Sequence, residues 1–506
     1  MFSSIVVIPA FLLLISIYIL SIFFHSHIDQ DDRKRPPGPL ALPIIGNIHL
    51  LGTLPHRKLQ SLANKYGPIM SLWLGQVQAI VVSSSEAAEL FLKTHDPAFA
   101  TRPRNQPTDH LFYGSKGVAF TEYGSYWRNM RKLCGQHLFS ASKFELFSSL
   151  RKEEVRTMVK SLERAATMGE AVDLSDKVQG LLEDMVCKMI FGRTTDDQVD
   201  VKGLITEAFK LGGAFNLADF VPCLAPFDLQ GLTRRIKETS KALDQVLEKI
   251  IKEHEQAYNK DGKQEDFIDM LLSLLKAHQD TVGEQDYRIG RDNIKAVALE
   301  IVFAAYDTVS LTIEWTFSEL LKNPNVMKNL QDEIQKVVGM DRMVAETDLV
   351  NLNYLNMVTK ESLRLYPPGP FIPRECIEDV VVDGYYIQKK SRILINAWAI
   401  GRDPKIWSDN AQVFNPERFL NSDIDFQGNH FQLVPFGSGR RKCPGMQIGL
   451  TVAKLTVAQL VHCFDWNLPN GMLPHDLDMT ETFGWSIPRS KPLLAVPTLR
   501  SHDHDE

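Results

Sequence analysis

The chain has 506 residues, of which 44% are hydrophobic and 23% charged, and its formal net charge is −6. These values are typical of a globular protein with ample core, and the dispersed, outnumbered basic residues argue against a nucleic-acid partner. The cysteines lie far apart without a Cys-x-x-Cys pair, which argues against a zinc ribbon, a thioredoxin-type site and a disulfide framework.

The N-terminal segment is a nearly continuous apolar run from Ile5 to Phe24. A helix of that length, rising about 1.5 Å per residue, spans the roughly 30 Å hydrocarbon core of a bilayer. A cleaved signal peptide is the alternative, but the run is too long, no basic residues precede it and no Ala-x-Ala site follows. Basic residues at 33–35 leave the rest of the chain on the cytosolic side. We therefore predict a retained membrane anchor over residues 1–28.

A proline-rich segment follows the anchor, with Pro36-Pro37-Gly38-Pro39 near its centre. Prolines fix the backbone and resist helix formation, so residues 29–46 are predicted to be a basic, semi-rigid hinge. The alternative is a polyproline ligand for another domain. The globular body then extends over residues 47–506.

Two short apolar segments, at 69–74 and 77–82, predict a β-hairpin that turns through Gly75-Gln76. The next stretch, 101–123, is rich in proline, glycine and aromatic residues, which predicts an irregular loop of the kind that often lines binding sites. Trp127 and Arg131 follow, four residues apart, and therefore share a helix face. The alternative for this pair is a buried tryptophan covered by an arginine stem.

Helical patterns dominate the middle of the chain. Residues 143–255 are mostly amphipathic helix, interrupted by an apolar, proline-containing turn at 215–226. A single long helix is predicted from Asp292 to about Lys322, with Asp292 or Asn293 as its cap and Pro324 beyond its end.

An acid and an alcohol, Asp307 and Thr308, occupy the centre of that otherwise apolar helix. Both are costly to bury without partners, which indicates a function. Thr308 can donate a hydrogen bond back to the helix and open a groove for water, while Asp307 can relay protons. The alternative is a threonine that serves packing alone.

Three later stretches are weaker indications of a function when each is considered alone. Glu361 and Arg364 share a helix face, as solvated surface pairs often do. Residues 367–374 leave that helix as an extended apolar segment, and residues 483–487 form an apolar turn near the C-terminus. Ordinary core β structure is the alternative for these last two.

The segment Phe436-Gly437-Ser438-Gly439-Arg440-Arg441-Lys442-Cys443-Pro444-Gly445 precedes an apolar helical pattern from Met446 to about Phe464. A cysteine before Pro444 at a helix start receives the positive end of the helix dipole, which predicts a lowered thiol pKa, and proline suits the first helical position. The glycines allow a tight loop close to a flat ligand, and Arg441 can bind a carboxylate. A buried structural cysteine and a surface redox thiol are the alternatives.

The spacing Phe-x-x-Gly-x-Arg-x-Cys-x-Gly closely resembles the haem-binding signature of the cytochrome P450 superfamily. Four further motifs of that family occur in the right order: Trp127-x-x-x-Arg131, Ala304 to Thr308, Glu361-x-x-Arg364, and Pro416 to Phe419. The resemblance covers essentially the whole chain. It implies an α+β, mainly helical cytochrome P450 fold with an N-terminal transmembrane anchor, and a haem-thiolate monooxygenase catalytic domain at 47–506.

The resemblance also implies residue roles. Cys443 would be the axial ligand of the iron of haem b, and Asp307 and Thr308 would guide protons. Ala305 replaces the usual glycine of the family, which removes some room for dioxygen but leaves the acid and alcohol in place. The other cofactor-binding residues would be Arg441, Trp127, Arg131, Arg374, Phe436, Gly437 and Gly445. A supporting network would join Glu361, Arg364 and Arg418. The substrate pocket would include Phe112, Tyr113, Phe215, Ala304, Tyr306, Phe371, Ile372, Phe483 and Trp485.

The sequence around these motifs, including residues 398–404, is similar to that of the plant A-type microsomal group. This resemblance implies hydroxylation of a small lipophilic plant metabolite with O2, by a single-pass protein of the endoplasmic reticulum membrane with a cytosolic catalytic domain. No dinucleotide fingerprint is present, so NADPH would act through a separate cytochrome P450 reductase, with cytochrome b5 as an optional second donor. A basic group would steer the reductase: Arg128, Lys132, Arg440 and Lys442.

The aromatic set in the predicted pocket favours a planar phenolic, flavonoid or biphenyl-like substrate, with a terpenoid as the alternative. Two other classes of protein remain open. One is an O2-independent haem-thiolate isomerase or dehydratase, which the retained acid and alcohol argue against. The other is a non-enzymatic haem protein, which the long apolar pocket argues against.

Overall fold

The structure is a computed structural model that describes residues 9, 13, 15–18, 34–193, 201–261, 266–280 and 290–500. The predicted anchor falls almost entirely on residues outside this part. The predicted α+β, mainly helical fold is confirmed. The helices are α1 (Pro55–Tyr66), α2 (Ser85–Glu89), α3 (Gln106–Leu111), α4 (Ser125–His137), α5 (Ala141–Leu146), α6 (Ser148–Met168), α7 (Leu174–Phe191), α8 (Val201–Gly213), α9 (Leu232–Asp261), α10 (Phe267–Asp280), α11 (Arg291–Lys322), α12 (Pro324–Val338), α13 (Asn353–Leu365), α14 (Ala397–Ile400), α15 (Pro404–Trp407) and α16 (Met446–Cys463).

The strands form small sheets. They are β1 (Ile69–Leu74), β2 (Val77–Val82), β3 (Val172–Asp173), β4 (Phe371–Glu375), β5 (Val380–Val382), β6 (Tyr385–Ile387), β7 (Arg392–Asn396), β8 (Phe464–Asn467) and β9 (Leu494–Leu499). The largest sheet has the order β1-β2-β7-β4, the second β3-β9-β8, and the third pairs β5 with β6.

The predicted β-hairpin is confirmed at both of its strands. β1 and β2 pair antiparallel from Ile69 opposite Val82 to Leu74 opposite Val77. β7 continues the sheet parallel to β2, and β4 pairs antiparallel with β7. Alternation along β4 buries Ile372 and Arg374, as the period of two in a pleated strand requires.

The described part of the predicted hinge is fastened to this sheet. The backbone N–H of Ser71 on β1 donates to the carbonyl of Pro37 over 2.8 Å, and its hydroxyl donates to the carbonyl of Pro36 over 2.9 Å. The N–H of Gly75, in the hairpin turn, donates to the carbonyl of Ile45 over 3.1 Å. Residues 36–45 therefore belong to the globular body in the structure.

The long helix α11 contacts α7 and α16 and forms the centre of the fold. It begins at Arg291 with Gly290 as its cap residue, and Asn293 accepts a hydrogen bond from the Gly290 N–H over 2.7 Å. The prediction of Asp292 or Asn293 as the cap itself was wrong, because Asn293 caps from within the first turn. Within the described residues, α11 is the one helix long and apolar enough to cross a membrane, and most of it is buried in the protein.

Two other local predictions need correction. The stretch 101–123 contains the short helix α3, which is stabilised by reciprocal hydrogen bonds between Asn105 and Thr108 and by a proline, Pro107, in its first turn. The helix after the cysteine begins at Met446 with Gly445 as its cap. Pro444 therefore precedes the helix and is not its first residue.

Candidate functional site

A cavity of about 400 Å³ lies between α11 and the segment that carries Cys443. Its walls are mostly apolar and come from α4, α7, α11, β4 and α16 as well as from this segment. The cavity brings together residues that are more than 300 positions apart in the chain, such as Trp127 and Lys442.

The α11 wall presents Ala304, Ala305 and Thr308 to the cavity. The Thr308 hydroxyl donates to the carbonyl of Ala304, one turn earlier. Thr312 repeats this bond to the carbonyl of Thr308 over 2.8 Å. These bonds draw helix carbonyls toward hydroxyl groups, as threonines within helices often do.

Asp307 lies on a different side of α11 and does not line the cavity. Consecutive helical residues point about 100° apart, so Asp307 is directed away from the wall that Thr308 presents to the cavity. Burial raises the pKa of Asp307 above its ordinary value, against the opposing influence of Ser486.

The opposite wall is a tight turn that presents the Cys443 sulfur. The Cys443 N–H donates to the carbonyl of Phe436 over 3.0 Å, and the N–H of Gly437 donates to the carbonyl of Val434 over 3.0 Å. Cys443 is half-buried, because its side chain faces the cavity, which it lines.

Burial raises the pKa of the Cys443 thiol, against the opposing influence of the Gly445 amide and of Arg131 and Arg102. The prediction of a lowered pKa was wrong in its net direction, because the apolar surroundings outweigh the helix start. A metal cation at the sulfur would replace the proton and stabilise the thiolate directly.

Three arginines meet at the edge of the cavity: Arg102 and Arg441 line it, and Arg374 lies behind them. Burial lowers the pKa of Arg102 to about 10 and of Arg441 to about 9, and the pKa of Arg374 falls well below its ordinary value. Among the described residues, none of the three is in an ion pair, and the Nε of Arg374 has no hydrogen-bond partner.

The Arg441 guanidinium donates instead to the carbonyls of Ala100, Val118 and Thr121, over 2.6 Å to Ala100. Arg131 Nη2 donates to the carbonyl of Lys442 over 2.7 Å, and the Trp127 indole donates to the carbonyl of Val118 over 3.0 Å. The guanidinium of Arg441 also lies over the Trp127 ring, 4.2 Å from its centroid.

These residues fit a haem group. Buried cations without counter-charges cost several kcal/mol each, and the two propionate carboxylates of a haem would offset that cost at Arg102, Arg374 and Arg441. The remaining cavity wall is apolar, as a flat porphyrin requires, and Cys443 supplies a sulfur ligand of the kind that haem iron accepts. Arg102 was not predicted. The sequence did contain an indication of this role, because Arg102 is a basic residue in the loop that was predicted to lie near a binding site.

Glu361, Arg364 and Arg418 are brought together in the interior. Arg364 donates to both oxygens of Glu361 over 2.7 Å and 2.8 Å, and Arg418 donates to Oε1 over 2.8 Å. Glu361 and Arg364 have fully buried side chains. Arg364 also donates to the carbonyls of Gly401 and Ala411, so the network joins α13 to the segment after α14.

The predicted pocket residues separate into two groups. Ala304, Phe371 and Ile372 line the cavity. The other six do not. Tyr113 donates its hydroxyl to Asp244 over 2.8 Å, Phe215 stacks on Phe220 at the surface, and Phe483 stacks on His56. Tyr306 lies beside Glu183 and Cys187 of α7.

Phe112 and Trp485 belong to an aromatic cluster beside the cavity. Three further rings of this cluster were not predicted: Phe120, Phe209 and Phe303. Tyr306, which was predicted, lies at the edge of the cluster, with its ring centroid 6.0 Å from that of Phe209. Phe303 immediately precedes Ala304, which lines the cavity, so its position on α11 was the available signal. Burial raises the pKa of Tyr306, the residue that was predicted instead, to about 12.

One buried acid also lines the cavity without having been predicted. Glu300 of α11 accepts hydrogen bonds from the N–H groups of Val118, Ala119 and Phe120, over 2.5 Å, 2.8 Å and 3.4 Å. Its carboxylate therefore holds the loop before α4 against α11. Burial raises its pKa to about 7.

The fold and the site define a class: a mainly helical protein in which a central helix and a cysteine-bearing turn enclose an apolar, arginine-edged haem cavity. The profile of the family described as "Cytochrome P450" matches residues 36–494. The chain belongs to the cytochrome P450 family.

Curated plant relatives align with nearly the full length of this chain. The chain is 54% identical to "Cytochrome P450 CYP736A12" of Panax ginseng, over 92% of this chain and 94% of the relative. It is 42% identical to costunolide synthase of Lactuca sativa, over 93% and 95%. It is 40% identical to desmethyl-deoxy-podophyllotoxin synthase of Sinopodophyllum hexandrum, over 96% and 95%.

A solved zebra fish cytochrome P450, described with abiraterone, superimposes with a TM-score of 0.73 at 28% identity, over 88% of this chain and 100% of that chain. The predicted family is thus confirmed. The protein is a cytochrome P450 monooxygenase, an oxidoreductase that uses haem and O2 and takes electrons from a redox partner.

Proposed function

We propose that this protein hydroxylates a small lipophilic plant metabolite, inserting one atom of O2 into it. The observation that carries the proposal is a single apolar cavity lined both by the Thr308 hydroxyl and by the Cys443 sulfur, with buried arginines at its edge. In this proposal residues 1–28 anchor the protein, and residues 29–46 connect the anchor to the catalytic domain of residues 47–506, to which the part at 36–45 is fastened.

When bound, haem b supplies the iron at which O2 is activated. Residues of the chain bind the haem and shape its site. Cys443 would hold the iron, and five residues would hold the propionate groups: Arg441, Arg374, Trp127, Arg131 and Arg102. Phe436, Gly437 and Gly445 shape the turn around the sulfur, since their backbone and ring line the cavity.

Proton handling falls to α11. Thr308 presents its hydroxyl at the cavity surface. Because this hydroxyl donates to the carbonyl of Ala304, its oxygen remains free to accept a hydrogen bond from a water molecule. Asp307, whose pKa is raised by burial, can take up and release protons. Ala305 fills the space that a glycine would leave beside them.

The electrons are proposed to come from NADPH through a separate membrane-bound reductase, with cytochrome b5 as an optional second donor. Arg128 and Lys132 are exposed on α4, the helix that also carries Trp127. They are therefore available to an acidic partner surface. Arg440 is less available, because it is paired with Asp96 over 2.6 Å.

The substrate is proposed to be a planar phenolic, a flavonoid or a biphenyl-like compound, because Phe371 lines the cavity and an aromatic cluster lies beside it. A terpenoid is the second candidate, since aromatic side chains pack against aliphatic rings equally well. The names of the plant relatives support both choices, because one is a costunolide synthase and another a desmethyl-deoxy-podophyllotoxin synthase.

The first test is a spectral titration of the purified haem-loaded protein with biphenyls, flavonoids, phenylpropanoids and terpenoids. A substrate that displaces water from the iron moves the Soret band to shorter wavelength, and we expect such a shift with one aromatic class. Cys443→Ser is expected to lose the thiolate-type spectrum, whereas Cys463→Ser, at the far end of α16, is expected to keep it. A wild-type spectrum without thiolate character would contradict the site, and a shift with terpenoids alone would contradict the aromatic preference.

A further inference from the structure

Glu300 of α11 is a buried acid, 3% exposed, whose carboxylate binds three consecutive backbone N–H groups of one loop. Its Oε2 accepts from Val118 over 2.5 Å and from Ala119 over 2.8 Å, and its Oε1 accepts from Phe120 over 3.4 Å. Successive backbone N–H groups directed at one anion form a binding concavity for negative charge. A side chain from α11 fills this concavity, so the carboxylate determines where the loop lies.

The same stretch of backbone holds Arg441 through its carbonyl groups. The carbonyl of Val118 accepts from Arg441 Nη1 over 3.4 Å and from the Trp127 indole over 3.0 Å. The carbonyl of Thr121 accepts from Arg441 Nη2. Val118 is therefore bonded to Glu300 through its N–H and to Arg441 through its carbonyl, and any displacement of this residue disturbs both contacts.

The loop is closed on itself, so its residues move together. The Thr121 hydroxyl lies within hydrogen-bonding distance of the carbonyls of Ser115, at 2.5 Å, and of Gly117, at 2.7 Å. A Cβ added at Gly117 would lie 2.1 Å from Glu300 Oε2, so the loop packs directly against the carboxylate. The position of the Thr121 carbonyl is thereby linked to that of Glu300.

Arg441 has N–H groups to spare after these contacts. A guanidinium carries five N–H groups, and the carbonyls of Ala100, Val118 and Thr121 accept from three of them. Within the described residues, the other two are available to a carboxylate in the cavity that Arg441 lines. Because the guanidinium is a rigid plane, the three carbonyls that hold one side of it also fix the direction of the remaining N–H groups.

We propose that Glu300 is a positioning residue for Arg441: by holding residues 118–121 against α11, it fixes the direction in which the guanidinium presents its remaining N–H groups to a haem propionate. The inference rests on the proposed propionate role of Arg441. It assigns part of the haem site to a residue that contacts the propionate only through the loop.

Three substitutions separate the hydrogen bonds of Glu300 from its charge and from its effect on stability. Glu300→Ala removes the acceptor for all three loop N–H groups. Glu300→Gln removes the charge but keeps an oxygen for Val118 and Ala119. Glu314→Ala is the control, because Glu314 is a buried acid on the same helix that does not line the cavity.

The first readout is the propionate bending band in the resonance Raman spectrum of the ferric, haem-loaded protein, which responds to hydrogen bonds at the propionates. We expect Glu300→Ala to shift this band, and Glu300→Gln and Glu314→Ala to leave it at the wild-type position. If Glu300→Ala does not load haem, Glu300→Asp takes its place, because the shorter side chain withdraws the oxygens from the loop while keeping the charge. It should shift the band in the same direction as Arg441→Lys.

The second readout is the rate at which haem is lost to excess apomyoglobin. We expect Glu300→Ala to lose haem several-fold faster than the wild type. Arg441→Lys should also lose haem faster, because lysine cannot present paired N–H groups to a carboxylate. In the Arg441→Lys background, Glu300→Ala should add nothing, since a residue that acts through another shows no separate effect in a double-mutant cycle.

The proposed role of Arg441 and the positioning role of Glu300 fail in different ways. If Arg441→Lys shifts the band but Glu300→Ala and Glu300→Asp leave it at the wild-type position, the positioning role is overturned and the role of Arg441 stands. Equal shifts in Glu300→Gln and Glu300→Ala would assign the effect to charge alone, and an equal shift in Glu314→Ala would assign it to lost stability. Either result overturns the inference. If Arg441→Lys changes neither readout, the propionate role of Arg441 is overturned, and the inference with it.

Discussion

Glu361 is the residue on which the ionic network of α13 depends. Its two oxygens accept hydrogen bonds from both Arg364 and Arg418, and Oε1 also accepts from the N–H of Asn415 over 2.8 Å. None of the Glu361 side chain is exposed to solvent. Removing this carboxylate leaves two guanidiniums without their shared acceptor.

We predict that Glu361→Gln lowers the free energy of unfolding by about 3–5 kcal/mol, because breaking a buried ion pair leaves an uncompensated charge. Urea unfolding of the haem-loaded protein measures the effect. Glu89→Gln is the control, since Glu89 pairs with Lys93 on an exposed helix surface and should change stability by less than about 1 kcal/mol. Equal effects of the two substitutions would contradict the network.

Glu300 makes the free energy of unfolding depend on pH, and the shift of its pKa gives the direction of that dependence. Burial raises its pKa from about 4.5 to about 7, so between these values the folded protein binds more protons than the unfolded chain. This group therefore lowers the free energy of unfolding as the pH rises from about 4.5 to 7, by at most about 3 kcal/mol.

The matching substitution is Glu300→Gln, which keeps a carbonyl oxygen for the loop amides but cannot titrate. We predict a smaller fall in stability across the same pH window in this variant, measured by urea unfolding at several pH values. Glu346→Gln, at a partly exposed ion pair with Arg151, should keep the wild-type slope. A wild-type slope in Glu300→Gln would exclude Glu300 as its source.

At the scale of elements, the turn around Cys443 depends on one glycine. Gly439 has a φ of +67°, and an added Cβ would overlap the carbonyl oxygen of Leu92 and the carboxylate of Asp96. Both the backbone conformation and the close neighbours therefore require glycine at this position.

We predict that Gly439→Ala reduces the haem content per chain several-fold, because the turn must move and carries the sulfur with it. The ratio of Soret to protein absorbance measures this directly. Gly135→Ala in α4 is the control, since no atom lies within 4 Å of the added Cβ and alanine favours a helix. Full haem content in Gly439→Ala would show that the turn tolerates the displacement.

The elements that sequence analysis predicted well are those in which neighbours along the chain decide the structure. The hairpin of β1 and β2 follows from two short apolar segments on either side of Gly75-Gln76, and α11 follows from a long apolar pattern with a proline after its end. The cysteine turn follows from closely spaced glycines. None of these needs knowledge of distant residues.

The pocket could not be predicted in the same way, because its lining depends on which face each element turns inward. Tyr306 and Phe303 are both aromatic residues on α11, and only tertiary packing directs Phe303 toward Trp485 and Tyr306 toward α7. The thiol pKa of Cys443 was misjudged for a similar reason, since burial is a property of the assembled cavity.

At the scale of the whole molecule, exposed apolar side chains occur on two neighbouring segments. One segment is the fastened hinge, where Leu40 is 91% exposed. The other carries Phe227 and Leu229, which are 70% and 67% exposed. The two segments meet at the hairpin turn, where Gly75 donates to the carbonyl of Ile45 and the N–H of Gln76 donates to the carbonyl of Phe220. Exposed apolar residues of this kind mark surfaces that contact a membrane or another protein.

We predict that the double substitution Phe227→Ser with Leu229→Ser weakens binding of a chain lacking residues 1–28 to phosphatidylcholine vesicles several-fold, because membrane affinity scales with buried apolar area. Co-sedimentation measures the bound fraction. Val350→Ser is the control, as this valine is 80% exposed on another segment. Unchanged binding in the double variant would place the lipid contact elsewhere.

The hydrogen bonds that fasten residues 36 and 37 to Ser71 also shorten the tether. If residues 1–28 lie in the bilayer, covalent geometry allows roughly 20–30 Å between the end of the anchor and the fastened prolines. Such a short linker limits the rotation of the catalytic domain relative to the membrane, so one face of the protein stays toward the lipid. Compounds dissolved in the membrane would then meet that face at a much higher local concentration than compounds dissolved in the cytosol.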